Sequence, residues 1–196
     1  MERDDLYTLI HKVLRKGLFD LCVRAGTTDY GDPAAVKELD AAWHRFDLFL
    51  RSHSAHERDL IHPALGALDP GGTEVVDAEH DRVHELLDRV EAQLAAIAAE
   101  QDATVARRRG LELYRALNRL AGTALPHFDA EETELMPRLW ALLSDAQIAA
   151  IRGAIMGSIR PEEAAYTVEL AAGALNPQEL EMIRANAAAV ELAASN

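Results

Sequence analysis

The stretches His53-Ser54-Ala55-His56-Glu57-Arg58-Asp59-Leu60-Ile61-His62-Pro63 and His127-Phe128-Asp129-Ala130-Glu131-Glu132-Thr133-Glu134-Leu135-Met136-Pro137 spell one pattern twice. In each, histidine is followed by glutamate four residues on, then by an apolar pair, then by proline ten residues on. The copies lie 74 positions apart. Residues i and i+4 of a helix share a face, with Cβ atoms about 6 Å apart. An imidazole and a carboxylate at that spacing can converge on one metal ion or on two neighbouring ions. Two such helices facing each other could hold a dinuclear centre.

Working outward, nearly every segment shows apolar residues in steps of three and four, and none alternates as a strand does. The periodicity predicts helices over about 4–25, 34–66, 74–100 and 104–143, with breaks at Gly26, at Gly31-Asp32-Pro33 and at Asp69-Pro70-Gly71-Gly72-Thr73. The expected fold is all-α: an up-and-down four-helix bundle over 1–143 with about three further helices over 144–196. Ser144-x-x-Gln147 and Asn176-Pro177-x-Glu179 read as helix starts, and Pro161 suits a first helical position. These three helices, near 145–157, 161–173 and 177–193, are expected to pack over the bundle or to form a homo-oligomer contact. Pro126, inside the fourth helix, predicts a kink there.

The composition narrows the function. The chain has 196 residues, 49% of them apolar, and a net charge of −13. That acidity argues against a nucleic-acid partner, which needs clustered Lys and Arg. Arg107-Arg108-Arg109 reads as a solvated helix face. A lone Cys22, expected in the core, suits a reducing compartment. No signal peptide or membrane span is legible, so no membrane partner is expected and the cytoplasm is the expected location. There is no phosphate loop, CxxC pair or nucleophile elbow.

Bundles of this kind draw metal ligands from all four helices. The second and fourth supply His53, Glu57, His127 and Glu131. The first and third each offer one inward histidine, His11 and His80. The expected ligand set is then His11, His53, Glu57, His80, His127 and Glu131, with an internal two-fold symmetry. Imidazoles suit Fe, Zn, Cu or Ni, whereas carboxylates able to bridge two ions favour iron or manganese. Without thiolates, neither an iron–sulfur cluster nor a cysteine zinc site is expected.

His11, His53-x3-Glu57, His80 and His127-Phe128-x2-Glu131, on four consecutive helices, resemble the hemerythrin-like, or HHE cation-binding, family over about residues 5–143. The resemblance implies a non-haem centre of two Fe ions, with Glu57 and Glu131 bridging and the histidines terminal. It implies a ligand such as dioxygen, peroxide or nitric oxide, and a role in sensing, storage or detoxification. A di-iron oxidase or oxygenase, or a peroxide-decomposing enzyme, is the alternative. Oxygen-carrying members use a second histidine on the third helix and a carboxylate five residues after the last histidine. His84 and Glu132 occupy those positions here, although Glu131 is the carboxylate that repeats Glu57 in register. The C-terminal helices place the chain among the larger bacterial members.

The remaining candidates have plainer readings. His44 and His56 are expected to face solvent, and His62 to sit at a helix C-terminus. Tyr114 is expected to face the core, as a packed aromatic or as a donor to His127. Trp43, Phe46 and Trp140 read as core or interface residues.

Overall fold

The computed structural model describes residues 3–194, and all regular structure among them is helical. Helix α1 is Thr8–Thr27. Helix α2 runs over Pro33–His56, a π-helical turn Glu57–Ile61 and a last α-helical stretch His62–Gly66. Helix α3 is Glu74–Ala98. Helix α4 joins Ala103–Ala130, a second π-helical turn Glu131–Leu135 and Met136–Leu142. Helices α5, α6 and α7 are Asp145–Ser158, Pro161–Ala171 and Pro177–Ala194.

Local chemistry sets these boundaries. Asp5 Oδ1 accepts the amides of Tyr7 and Thr8, so α1 starts later than its periodicity suggests. Asp32 and Asp102 cap α2 and α4. Ser144 and Gln147 form the reciprocal capping pair, and so do Asn176 and Glu179. Gly71 takes φ +83° in the α2–α3 loop, a region costly for any residue with a Cβ.

α1 packs on α2, α2 on α3, α3 on α4 and α4 back on α1, which closes the bundle. Two apolar cores fill it. The larger includes Leu14, Leu18, Phe46, Leu50, Leu87, Leu117 and Phe128. The smaller includes Tyr7, Ile61, Leu65, Val76, Leu135 and Leu139. Along each helix the switch between cores falls at the predicted ligands: between Tyr7, just before α1, and Val13 within it, between Leu50 and Ile61 in α2, between Val76 and Val83 in α3, and between Phe128 and Leu135 in α4. A polar layer thus separates two hydrocarbon layers.

The tail is joined to this scaffold. Ala171 and Ile183 belong to the larger core and Ile148 to the smaller. Lys12 Nζ donates to Glu179 Oε1 at 2.5 Å, tying α1 to α7, and Ser52 donates to Glu163 on α6.

Helix α4 departs from the expected kink at Pro126. Its α-helical pattern runs through Pro126 to Ala130. Pro126 and Gly122, four residues earlier, are both exposed, so the carbonyl left without an amide can be hydrated. The change of pattern comes instead at the π-turns. There His62 and Met136, each preceding a proline, donate their amides to the carbonyls of Glu57 and Glu131, five residues back. One extra residue per turn accommodates Pro63 and Pro137, which would otherwise crowd the carbonyls of Asp59 and Thr133.

Helix approach is tight where Gly110 meets Tyr30: a Cβ there would lie 2.1 Å from the ring. Gly110→Ala is therefore expected to destabilise the fold by about 1–3 kcal/mol despite alanine's better helix propensity, read by urea denaturation.

Candidate metal centre

The six expected ligands converge. All are buried, with Glu131 and His11 at 0% exposure and His53 the most accessible at 7%. They divide into two four-donor groups that share both carboxylates: His11, His53, Glu57 and Glu131, and His80, His127, Glu57 and Glu131. In the first, His53 Nε2 lies 3.0 Å from Glu57 Oε1, and His11 Nε2 lies 3.3 Å from Glu131 Oε2 and 3.2 Å from His53 Nε2. In the second, His80 Nε2 lies 3.0 Å from Glu57 Oε2, and His127 Nε2 lies 3.4 Å from Glu131 Oε1. Each glutamate turns one oxygen to each group.

These distances suit a metal. Ligands held about 2.1 Å from one ion stand about 3.0 Å apart at octahedral angles and about 3.4 Å apart at tetrahedral ones. All four carboxylate oxygens, and both ring nitrogens of His80, are buried without a hydrogen-bond partner. Buried carboxylates left so cost several kcal/mol each unless a cation compensates them. Four nitrogens and four oxygens, short of the twelve positions of two octahedral ions, leave room for an outside ligand.

The charges agree. Burial pushes the Glu131 carboxyl well up, and the neighbouring Glu57, Glu79 and Glu132 push the same way. Burial acts upward on Glu57 too, but His53, His11 and His80 outweigh it and hold Glu57 low. Without a cation, Glu131 is thus the carboxyl of the pair that keeps a proton more readily. Desolvation, with His80 beside it, takes His127 down to about 3, and desolvation also lowers His53. Both imidazoles are neutral near pH 7, the form that binds metals. At His11 burial acts downward, yet Glu132 and Glu57 raise it overall.

Around the donors stand residues that sequence reasoning missed or misplaced. Glu132 lies outside both donor groups: its Oε1 lies 2.9 Å from His11 Nδ1 and accepts from Arg15 at 2.6 Å. Glu79 Oε2 pairs with His127 Nδ1 at 3.1 Å. Such carboxylates fix a ligating imidazole's tautomer and orientation. Phe128 stacks on His11, with ring centres 4.5 Å apart. His84 belongs to neither group; it is half-buried, with Nε2 unpartnered.

Four single-residue expectations need correcting. Tyr114 is 38% exposed and lies against Gly26, because its position on α4 turns away from the core. The phenol near the centre is Tyr7, wholly buried, 5.5 Å from the His11 ring, its hydroxyl without a hydrogen-bond partner. His62 is not at a helix end, since the π-turn carries α2 onward. It is buried, stacks on His80 and pairs with Asp77 at 2.8 Å. His56 is half-buried and meets Ser158 Oγ at 3.0 Å, covered by α5, which periodicity could not place. Cys22 is only partly buried against the core; His44 is exposed as expected.

Glu132→Gln and Glu79→Gln should each weaken metal binding about tenfold with little change in the metal-free melting temperature, measured by chelator competition.

Residues 4–139, more than two thirds of the chain, match the hemerythrin HHE cation-binding domain. The chain belongs to that family: it is a helical-bundle protein with a buried His/Glu site for metal cations, extended by further C-terminal helices. No curated protein and no solved structure matches it. Among the described residues, no helix is long and apolar enough to cross a membrane.

Proposed function

We propose that this chain is a non-haem di-iron protein that binds or reacts with a small oxidant (dioxygen, peroxide or nitric oxide) in a sensing, storing or detoxifying role. What carries the reading is the sharing of both carboxylates between two histidine pairs. A mixed nitrogen and bridging-oxygen donor set without thiolate favours iron or manganese over zinc or copper.

In this reading His11 and His53 serve one iron, His80 and His127 the other, and Glu57 and Glu131 both. When bound, the iron pair supplies reducible centres with open coordination positions. The protein does the rest. Glu132 and Glu79 orient His11 and His127. Two hydrocarbon layers keep water from the donors. Tyr7, held protonated by burial and by Glu57 and Glu131, offers a hydrogen-bond donor to an incoming ligand. The acidic chain is expected to work in the cytoplasm without a nucleic-acid partner.

Purified protein should carry about two irons per chain and a near-ultraviolet absorption that changes between anaerobic and aerated samples. A fully folded preparation that takes up no iron would overturn the reading. The alternative, a di-iron oxidase, oxygenase or peroxide-decomposing enzyme, gains from a cavity that reaches His53. Rapid peroxide turnover abolished by His127→Ala would favour it; inertness toward peroxide and organic compounds would remove it.

A further inference from the structure

The appended helices and the bundle border a partly open cavity of about 410 Å³ whose lining includes His53 and Glu57. Its walls pair Ile155, Ile183 and Val190 from α5 and α7 with Leu9, Phe49 and Ile61 from the bundle. The cavity meets the centre on one side only: His53 and Glu57 line it, whereas His80 and His127 do not. His53 is also the most accessible of the four histidines. On the opposite flank, His62 covers His80 and Glu79 pairs with His127. A diatomic gas needs no such space. The volume suits an organic molecule of roughly 12–20 non-hydrogen atoms at interior packing density.

The polar lining says what kind of molecule fits. Arg152, the cation in the wall, pairs with Asp4 at 3.2 Å. Glu163 accepts from Ser52, Asp5 from two backbone amides, and His56 meets Ser158. Asp5, Glu163 and His56 are thus engaged by the protein, and Arg152, largely turned to solvent, already has Asp4 as its partner. The wall carboxylates Asp5 and Glu163, which lie outside the donor groups, would repel an anion.

We infer that this cavity is a binding site for a neutral, largely apolar organic molecule whose one oxygen-bearing end reaches the metal held by His11 and His53. The inference rests on the di-iron reading for that last contact alone. The tail is then the wall of a ligand site, which gives residues 144–196 a function tied to the centre.

The test uses the full-length, iron-loaded protein and 4-hexylphenol as probe, titrated calorimetrically while iron content and absorption are recorded. Saturable one-to-one binding is expected at a Kd of about 10–100 µM, with a change in the iron absorption. The anion 4-hexylbenzoate should bind about tenfold more weakly or worse, because wall carboxylates oppose it. Ala187→Trp, and independently Ile155→Trp, should fill the cavity and weaken the phenol about tenfold or more, with iron content and melting temperature kept. Two variants from different helices guard against one that misfolds. Iron-replete protein that does not bind the phenol, or binds it equally after both fillings, or prefers the benzoate, overturns the inference and leaves the di-iron reading standing. Folded protein that takes up no iron yet binds the phenol in a filling-sensitive way overturns the di-iron reading and leaves the cavity assignment standing.

Discussion

Glu131→Gln is expected to empty both halves of the centre at once, taking bound iron from about two per chain to a small fraction. Each Glu131 oxygen belongs to a different four-donor group, so one substitution removes a donor from both. An amide oxygen cannot replace the lost charge, and a hundredfold or greater loss of affinity is expected, somewhat beyond the range seen for supporting residues. The metal-free protein should be no less stable than wild type. Glutamine keeps the shape, and burial with neighbouring carboxylates already pushes the wild-type carboxyl toward its neutral form. His11→Ala should instead cost mainly the His11/His53 position and leave about one iron. Element analysis beside thermal melts reads both. Equal metal loss in the two variants, or full iron in Glu131→Gln, would sink the shared-carboxylate arrangement.

Stripping the metal with a chelator at pH 7 is expected to lower the melting temperature by about 10 °C. An ion held at about a thousand times its Kd stabilises by about 4 kcal/mol, and a chain of this size shifts about 2–4 °C per kcal/mol. The gap should close as pH falls, and the sign follows from the site. Glu131 and His11 have folded pKa values above their ordinary ones, so metal binding must displace their protons. Apparent affinity therefore rises about tenfold per pH unit for each proton released. The metal-free protein has its own dependence. His127, at about 3 when folded and 6.5 when unfolded, takes its proton more readily in the unfolded chain. Stability from this group is present above pH 6.5 and lost as pH falls toward 3; His53 acts in the same direction. Glu131 acts oppositely, favouring the folded state below pH 4.5 and losing that contribution as pH rises through its elevated pKa. Chelator competition across pH 5–8 checks the first dependence, and melts of metal-free protein check the second. A pH-independent affinity would contradict proton displacement at the donors.

The bundle was legible because its signals are local. Leu14 and Leu18, or Val83 and Leu87, mark a buried face by spacing alone, and Ser144 and Asn176 announce helix starts through side chains that reach only three residues ahead. The candidate donors were legible for the same reason: the His-x3-Glu unit is one helical turn, and its repetition told which turns to pair. Those local rules failed at Pro126, where exposure of Gly122 let the helix continue, and at Pro63 and Pro137, where the strain is taken up one turn earlier.

What the chain alone determined is therefore the set of helices, their inner faces and six convergent side chains, each a consequence of periodicity and of spacing within a turn. Only the tertiary structure decided which histidines pair, that Glu132 and Glu79 stand behind the imidazoles, that Tyr7 rather than Tyr114 approaches them, and that α5–α7 wall a partly open cavity against His53. Those outcomes depend on contacts between residues up to 167 positions apart, as between Lys12 and Glu179. They are set by how rods rotate and settle on one another, and no pattern within a single rod records that rotation.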